Sequence, residues 1–140
     1  MWLHLRWLHR GRSSSIKSHN TLRAPSDLER LWRLAPVSVE WDTLAIAAFA
    51  GDQEQYELLL AYIACCLEHC FPHFLSPSMV EAAVNETLTA IHRKRHTYHP
   101  SDPFERWAIA IARYRLSSIH ERYLVLDEVS SAQSESLFDA

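Results

Sequence analysis

A stripe of apolar residues between Asp52 and Pro72 limits most strongly what this chain can fold into. Its members lie three and four positions apart, so one face of an α-helix carries all of them: Tyr56, Leu59, Leu60, Ile63, Leu67 and Cys70. Asp52 can cap this helix at its start, and Pro72 ends it. The whole sequence contains only two glycines, which disfavours a turn-rich β fold. We therefore expect an all-α protein.

Two further helices follow from similar signals. Asp42 can cap a short helix that ends at Gly51. Ser78 followed by Glu81 three residues later is a capping box, and it opens a helix that runs to about Arg95. The buried stripe of that helix is predicted to be Val80, Val84, Thr87, Leu88 and Ile91.

The last helix has a capping box of its own. Asp102 and Glu105 flank Pro103, which suits the first helical position, and the helix is predicted to run to about Tyr123. Its inward residues are Phe104, Trp107, Ala108 and Ile111. The sequence thus predicts a small three- to four-helix bundle over residues 41–122, with a flexible basic segment at 1–40 and an acidic, linker-like tail at 123–140.

Charge is divided into blocks along the chain, although the net charge is only −3. Residues 1–33 carry seven Lys or Arg against two acidic residues, and residues 34–91 carry eight acidic residues and no Lys or Arg. Residues 92–122 are basic again, with seven Lys or Arg against three acidic residues, and 123–140 hold four acidic residues. Adjacent acidic and basic blocks indicate one cationic and one anionic partner; the alternative is ordinary solvated helix faces.

The sequence lacks the signals that are typical of several classes of protein. The longest apolar runs are too short to cross a bilayer, and the first residues lack the apolar core of a secretory signal. With only Gly11 and Gly51, no glycine-rich phosphate loop can form, and neither a nucleophile elbow nor a metalloprotease motif is present. We therefore expect neither an enzyme nor a bound cofactor.

The cysteines admit one alternative site. Cys66, His69, Cys70 and His73 lie at i, i+3, i+4 and i+7, on one face of a helix. Four ligands along one straight helix cannot surround a zinc ion tetrahedrally, so a metal site is the minor interpretation. The three cysteines fall within six residues, a spacing that does not suggest a disulfide framework, and a cytoplasmic location fits them better.

The order of motifs from residue 84 onward carries a family resemblance. A helix containing Asn85-Glu86-Thr87-Leu88 runs into the basic stretch Arg93-Lys94-Arg95, and the loop Thr97-Tyr98-His99-Pro100 follows. The next helix starts with Pro103-Phe104-Glu105-Arg106-Trp107 and continues with Ala110-Ile111-Ala112-Arg113-Tyr114-Arg115-Leu116. Together with Gly51-Asp52 upstream, these motifs resemble region 2 of bacterial extracytoplasmic-function RNA polymerase sigma factors, over about residues 41–122.

The resemblance implies a role in transcription initiation with two binding surfaces. One would dock on the clamp helices of the polymerase β′ subunit through Glu81, Asn85 and Glu86. The other would bind promoter DNA, at the minus-ten element and its melted strand, through Arg93, Lys94, Arg95, Tyr98, His99, Arg106, Arg113 and Arg115. Cationic side chains neutralise phosphates and flat rings stack on unpaired bases. Trp107 is expected to be a core residue rather than a platform for a base. For Tyr114 the sequence does not decide between these two roles.

The sequence departs from the family pattern in its docking helix, in its length, and at the end of its last helix, which reads Ser118-Ile119-His120-Glu121-Arg122 where the family usually has Asp followed by an Arg cluster. The docking helix usually reads Asp-Ala-Glu-Asp-Leu-Val-Gln-Glu-Thr, whereas this chain has Ala82 for the second Asp and Asn85 for Gln. Such factors also carry a second helical domain, region 4, so region 4 lies on another polypeptide, or this is a fragment, or a degenerate regulator. The alternative function is a sigma-like protein-interaction regulator that binds the polymerase clamp or an anti-sigma factor without opening DNA.

Overall fold

The computed structural model describes the backbone of residues 27–139 and the side chains of residues 27–122. In this part of the chain every regular element is helical, which confirms the all-α prediction. The five α-helices are α1 Leu28–Arg33, α2 Trp41–Phe49, α3 Gln53–Cys70, α4 Pro77–Arg93 and α5 Phe104–Asp139, with short 3₁₀ turns at Phe71–His73 and Arg95–Thr97. Among the described helices, none has the length and hydropathy needed to span a bilayer.

Helix α3 forms the centre of the bundle and packs against α1, α2 and α4, while α5 packs against α1, α2 and α4. The predicted α3 stripe is confirmed, because all its members are buried except the half-buried Tyr56. Burial of each Leu or Ile in such a stripe contributes roughly 1.5–3 kcal/mol. The α4 stripe is confirmed in the same way, with Val84, Thr87, Leu88 and Ile91 buried and Val80 half-buried.

The turn between α2 and α3 follows the predicted signals. Gly51 has φ +114°, in the left-handed region that glycine adopts without steric cost. The Asp52 carboxylate then accepts the backbone N–H of Gln55 at 3.2 Å, which caps α3.

The predicted capping box at the start of α4 is wrong. The helix begins at Pro77 after Ser76, without a side-chain cap, so Ser78 lies inside the first turn and Glu81 is exposed. Proline explains the earlier start, since its fixed φ suits the first helical position and its missing N–H needs no partner there.

Asp42 does not cap its own helix, although the sequence predicts that it does. Helix α2 begins at Trp41 instead, and the Asp42 carboxylate accepts the backbone N–H of Phe104 at 2.7 Å. Phe104 is the first residue of α5, 62 positions further along the chain. Asp42 therefore performs a capping role that sequence analysis assigned to Asp102, and it joins α2 to the start of α5.

Both ends of the predicted bundle extend further in the structure. Within the segment 1–40, residues 1–26 lie outside the described residues, but α1 buries Leu28, Leu31 and Trp32 in the core. The predicted helix end near Tyr123 is wrong, because α5 continues to Asp139. Residues 124–139 contain neither glycine nor proline, so the chain carries no strong helix-breaking residue there.

Candidate functional site

A groove of about 450 Å³ lies between α4 and α5, and we call it the α4–α5 groove. Its walls come from both predicted binding surfaces: Asn85, Glu86, Thr89, Ala90, Arg93, Lys94 and Arg115. The structure thus brings Asn85 and Glu86, predicted to dock on polymerase, beside cations that were predicted to bind DNA. The two predicted surfaces therefore meet at this groove, which contains part of each.

The helical repeat of α4 explains how these side chains come together. Glu86, Ala90 and Arg93 are spaced four and three apart, which places them on one face of the helix. Val84, Leu88 and Ile91 turn to the core, and Ala90 is buried as well. Arg93 lies in the last turn of α4, where a cation is favoured by the helix dipole. The exposed face of α4 therefore changes from acidic to basic along its length.

The acidic side of the groove is partly neutralised by α5. The Arg122 guanidinium donates from Nη2 to both carboxylate oxygens of Glu86, at 2.9 and 3.0 Å. The two side chains are 57% and 37% exposed, so the ion pair contributes at most about 1 kcal/mol. Sequence reasoning missed Arg122 as a partner of Glu86, because 36 residues separate them. Glu81 and half-buried Asn85 lie on the same helix.

The basic stretch Arg93-Lys94-Arg95 begins at the last residue of α4. A hydrogen bond to the backbone of α4 and a contact with α3 fix its position. The Arg95 guanidinium donates to the His92 carbonyl at 2.5 Å, and the His92 Nδ1 lies 2.5 Å from the Tyr56 hydroxyl of α3. Burial, together with the cations of Arg95 and Arg93, lowers the pKa of His92. A neutral His92 leaves the exposed Arg93, Lys94 and Arg95 as the sources of positive charge.

Tyr98 does not offer a free ring to a base, as the sequence interpretation requires. Its side chain is only 8% exposed, and its ring packs against Phe49, Phe104 and Trp107 with centroids 5.4–5.6 Å away. We call these four residues the aromatic cluster. Burial raises the pKa of Tyr98, and the carboxylates of Asp42 and Asp102 act in the same direction. Tyr98 therefore anchors the loop rather than facing solvent.

Trp107 packs against the core, as predicted, and also fixes the loop that precedes α5. Its indole N–H donates to the Thr97 hydroxyl oxygen at 3.0 Å, and that hydroxyl donates to the Lys94 carbonyl at 2.7 Å. Further along the loop, His99 Nδ1 lies 2.7 Å from the hydroxyl of Ser101, with both side chains exposed. The loop is thus pinned on the cluster side while His99 stays accessible.

The arginines of α5 differ in their placement. Arg106 is exposed, whereas Arg113 and Arg115 are half-buried, and the Nε atoms of both are buried without a hydrogen-bond partner. Arg115 lines the α4–α5 groove. Between them Tyr114 is 61% exposed, with Lys94 Nζ 5.6 Å and Arg115 Cζ 5.2 Å from its ring centroid. This cation–aromatic group joins the end of α4 to α5.

The four residues of the alternative metal site lie on α3 and on the 3₁₀ turn that follows it. Burial raises the pKa of the Cys70 thiol to about 12 and raises that of Cys66 still further, whereas zinc binds thiolates. The rings of His69 and His73 lie 6.3 Å apart. Among the described residues, no group of three or more His, Cys, Asp or Glu side chains is placed to hold a metal ion.

Of three comparisons with known proteins, the one with curated sequences gives a match. No family model matches the chain, and no solved structure matches it. Over 75 residues the chain is 39% identical to a curated protein, the ECF RNA polymerase sigma factor SigF of Caulobacter vibrioides. The matched part covers 52% of this chain and 42% of that relative, so the chain spans about two-fifths of the length of SigF. This partial similarity supports a sigma-factor-like protein.

Proposed function

We propose that this chain acts in bacterial transcription initiation as the region 2 domain of an extracytoplasmic-function sigma factor, in the cytoplasm. The observation that carries the proposal is the similarity to SigF over 75 residues. An exposed cationic surface beside an acidic helix face, both on α4 and α5, fits a protein that binds an anionic and a cationic partner. A sigma factor acts by binding, so the proposed function includes neither catalysis nor a cofactor.

The proposed polymerase-binding surface is the solvent side of α4. Glu81 and Glu86 carry charge there, and Asn85 lies between them with its polar amide. Carboxylates attract a basic partner and steer its approach. Because Arg122 already pairs with Glu86, docking on the β′ clamp helices requires that exposed pair to open or to be shared. The cost is small, since such pairs contribute at most about 1 kcal/mol.

The proposed DNA surface comprises the basic stretch after α4, the exposed part of the loop and α5. His99 would form a hydrogen bond to a phosphate or a base. The phosphates would be neutralised by six cationic side chains: Arg93, Lys94, Arg95, Arg106, Arg113 and Arg115. Counterion release makes such binding strongly dependent on salt. Tyr98 contributes indirectly, because its packing in the aromatic cluster fixes the loop.

Two measurements on the full chain test this function. The first is co-elution with bacterial core RNA polymerase, which we expect for the wild type and expect to be weakened in Glu81→Lys and Glu86→Lys. Glu54→Lys is a matched control, because Glu54 is an exposed acid in the first turn of α3, outside the proposed surface. Equal weakening by all three substitutions would contradict a specific docking face on α4.

The second measurement is binding of the polymerase complex to a fork-junction promoter over a range of salt concentrations. The proposed function requires an affinity that falls steeply with salt. Where a partner supplies region 4, it is added to the mixture. Co-elution with polymerase without any DNA binding would instead favour the alternative, a sigma-like regulator that binds the clamp or an anti-sigma factor. Failure to co-elute would contradict both polymerase-binding functions.

A further inference from the structure

We infer that a cavity at the junction of α1, α2 and α5 is a binding site for a basic, apolar stretch of this chain's own N-terminal segment, residues 3–7. The stretch lies as an extended strand along the segment that joins α1 to α2, and one of its apolar side chains enters the cavity. None of the residues assigned to the two proposed binding surfaces lines this cavity, so the inference does not depend on the proposed function.

The cavity has a volume of about 250 Å³ and is formed by residues from α1, α2, α3 and α5 and from the segment that joins α1 to α2. Its walls are largely apolar, since they include Trp32, Val37, Val39, Trp41 and Cys66. Pockets for drug-sized ligands usually measure about 300–1,000 Å³. The smaller volume of this cavity suits one or two side chains of a polypeptide.

A buried hydrogen-bond donor in the wall of the cavity lacks an acceptor. Trp32 is only 2% exposed, and its indole Nε1 has no hydrogen-bond partner among the residues that the structure describes. A buried donor without an acceptor costs free energy, which an incoming acceptor recovers. Because Trp32 lines the cavity, a polypeptide that binds there can supply a backbone carbonyl to this N–H.

The segment that joins α1 to α2 offers a free edge to such a polypeptide. Val37 and Val39 are half-buried whereas Ser38 and Glu40 are exposed, so burial alternates with the period of two that is typical of a strand. Within the described part of the chain, Ser38 and Val39 form no hydrogen bond. An extended peptide gains main-chain hydrogen bonds along such an edge, and its alternate side chains can occupy a neighbouring cavity.

The charges beside the cavity favour a basic occupant. Arg33 and Glu105 both line it, but Arg33 already pairs with Glu29 at 2.7 Å. Glu105 forms no ion pair with any described residue, and neither does the exposed Glu40, which lies between two lining residues. The uncompensated charge is therefore negative, and it attracts a cationic polypeptide.

The N-terminal segment of this chain has the matching chemistry. Residues 1–26 contain five Lys or Arg and no acidic residue. At their start Leu3, Leu5 and Trp7 alternate with His4 and Arg6, a pattern typical of a strand with one apolar and one basic face. Trp7 has the largest of the three apolar side chains and gains most from burial in the cavity.

The chain is long enough for this stretch to reach the cavity. Residues 8–26 join it to Asp27, and these 19 residues can span up to about 60 Å. Helix α1, which separates Asp27 from the cavity, has six residues and is roughly 9 Å long. Binding within the same chain therefore needs no strained connection.

The test uses NMR spectra of the full chain with isotope-labelled tryptophan and valine. We expect nuclear Overhauser contacts between the Trp7 ring and the methyl groups of Val37 and Val39, and a Trp32 indole N–H signal typical of a hydrogen bond. Trp7→Ala should remove both, because it lowers the equilibrium constant for binding by roughly 10- to 150-fold, the effect of losing one large buried side chain. Ile16→Ala changes the same segment outside the alternating stretch and should leave the spectrum as in the wild type.

A peptide of residues 1–12 measures the same interaction in trans. Added to the Trp7→Ala chain, it should restore the wild-type signals of Trp32 and Val39. The same peptide carrying Arg6→Glu should bind roughly two- to fivefold more weakly, the effect of one exposed ion pair. Glu105→Arg in the chain should reverse this preference. Circular dichroism checks that each variant keeps the helical content of the wild type.

Three results would overturn the inference. If Trp7→Ala leaves the signals of Trp32 and Val39 unchanged, the N-terminal stretch does not occupy the cavity. Contacts that weaken when the full chain is diluted would assign the occupant to a second copy of the chain. A peptide with Arg6→Glu that binds the Trp7→Ala chain as tightly as the natural peptide would show that the acidic side chains do not select a basic occupant.

Discussion

The aromatic cluster and the α4–α5 groove use neighbouring parts of the chain, yet they differ in the polarity and exposure of their side chains. In the cluster, Phe49, Tyr98, Phe104 and Trp107 pack with ring centroids 5.4–6.1 Å apart. In the groove, three cations (Arg93, Lys94 and Arg115) and the carboxylate of Glu86 line a wall that is partly open to solvent. A packed cluster stabilises the fold, whereas an open cationic groove holds charge that a partner of opposite sign can neutralise. The contrast fits a structural role for the cluster and the proposed binding role for the groove.

The short distance along the chain between Lys94 and Tyr98 shows how sharp this division is. Lys94 is exposed and reaches over Tyr114, while Tyr98 four residues later is buried. The difference comes from α2, because Phe49 packs against the Tyr98 ring and Asp42 caps the helix that follows. The contact with α2 therefore determines which side chains of the loop are buried.

The largest effect should come from truncating the centre of the cluster. Phe104 is fully buried and contacts the rings of Trp41, Phe49, Tyr98 and Trp107. Phe104→Ala should therefore lower the free energy of unfolding by about 3–5 kcal/mol, as measured by urea denaturation. Arg106→Ala, two positions on and exposed, should change it by less than about 0.5 kcal/mol. Similar values for both would contradict a packed core at the start of α5.

A smaller effect should follow from removing the cap that joins α2 to α5. Asp42→Ala deletes the acceptor for the Phe104 N–H and should cost about 0.5–2 kcal/mol of stability. Asp42→Asn keeps an acceptor oxygen and should cost less. The same denaturation experiment measures both, with Asp102→Ala as a comparison. If Asp102→Ala were the more damaging change, the cap predicted from sequence would be the correct one.

On the groove side the effect should be on binding rather than stability. Substituting Arg113 or Arg115 with Ala should weaken binding to promoter DNA. Each substitution should also lower the salt dependence by about 0.7 for every single-strand phosphate that the variant no longer neutralises. Arg113→Lys and Arg115→Lys keep the charge and should keep the salt dependence. The measurement is affinity at several salt concentrations, with circular dichroism to check the fold. An unchanged salt dependence in the Ala variants would argue against a DNA role for these arginines.

The smallest effect is expected for the ion pair at the edge of the groove. Arg122→Ala should lower the free energy of unfolding by no more than about 1 kcal/mol, and less at high salt, because water reaches both side chains, which are 57% and 37% exposed. A double-mutant cycle with Glu86→Gln measures the coupling directly. A coupling well above the roughly 1 kcal/mol of exposed pairs would show that the pair is shielded from water, and the groove would then be more closed than its exposure indicates.

Most of the helical architecture could be predicted from local signals. The stripes of α3 and α4, the cap by Asp52 and the turn at Gly51 each depend on residues within a few positions, and the structure agrees with them. Helix starts were less predictable, since α4 begins at Pro77 rather than after a capping box at Ser78. Sequence motifs located the predicted site residues, but they did not predict which of these residues are exposed. Tyr98 is an example, because its side chain is buried.

By itself the sequence determined the helical periodicity, the separation of charge into blocks and the resemblance to a sigma-factor region, because each is a property of residue order. Only the tertiary structure decided that Asp42 caps α5, that Glu86 pairs with Arg122, and that Tyr98 is covered while Tyr114 is open. These outcomes join residues of different helices. Periodicity assigns a residue to a face of its own helix, but which neighbour covers that face depends on how the helices pack.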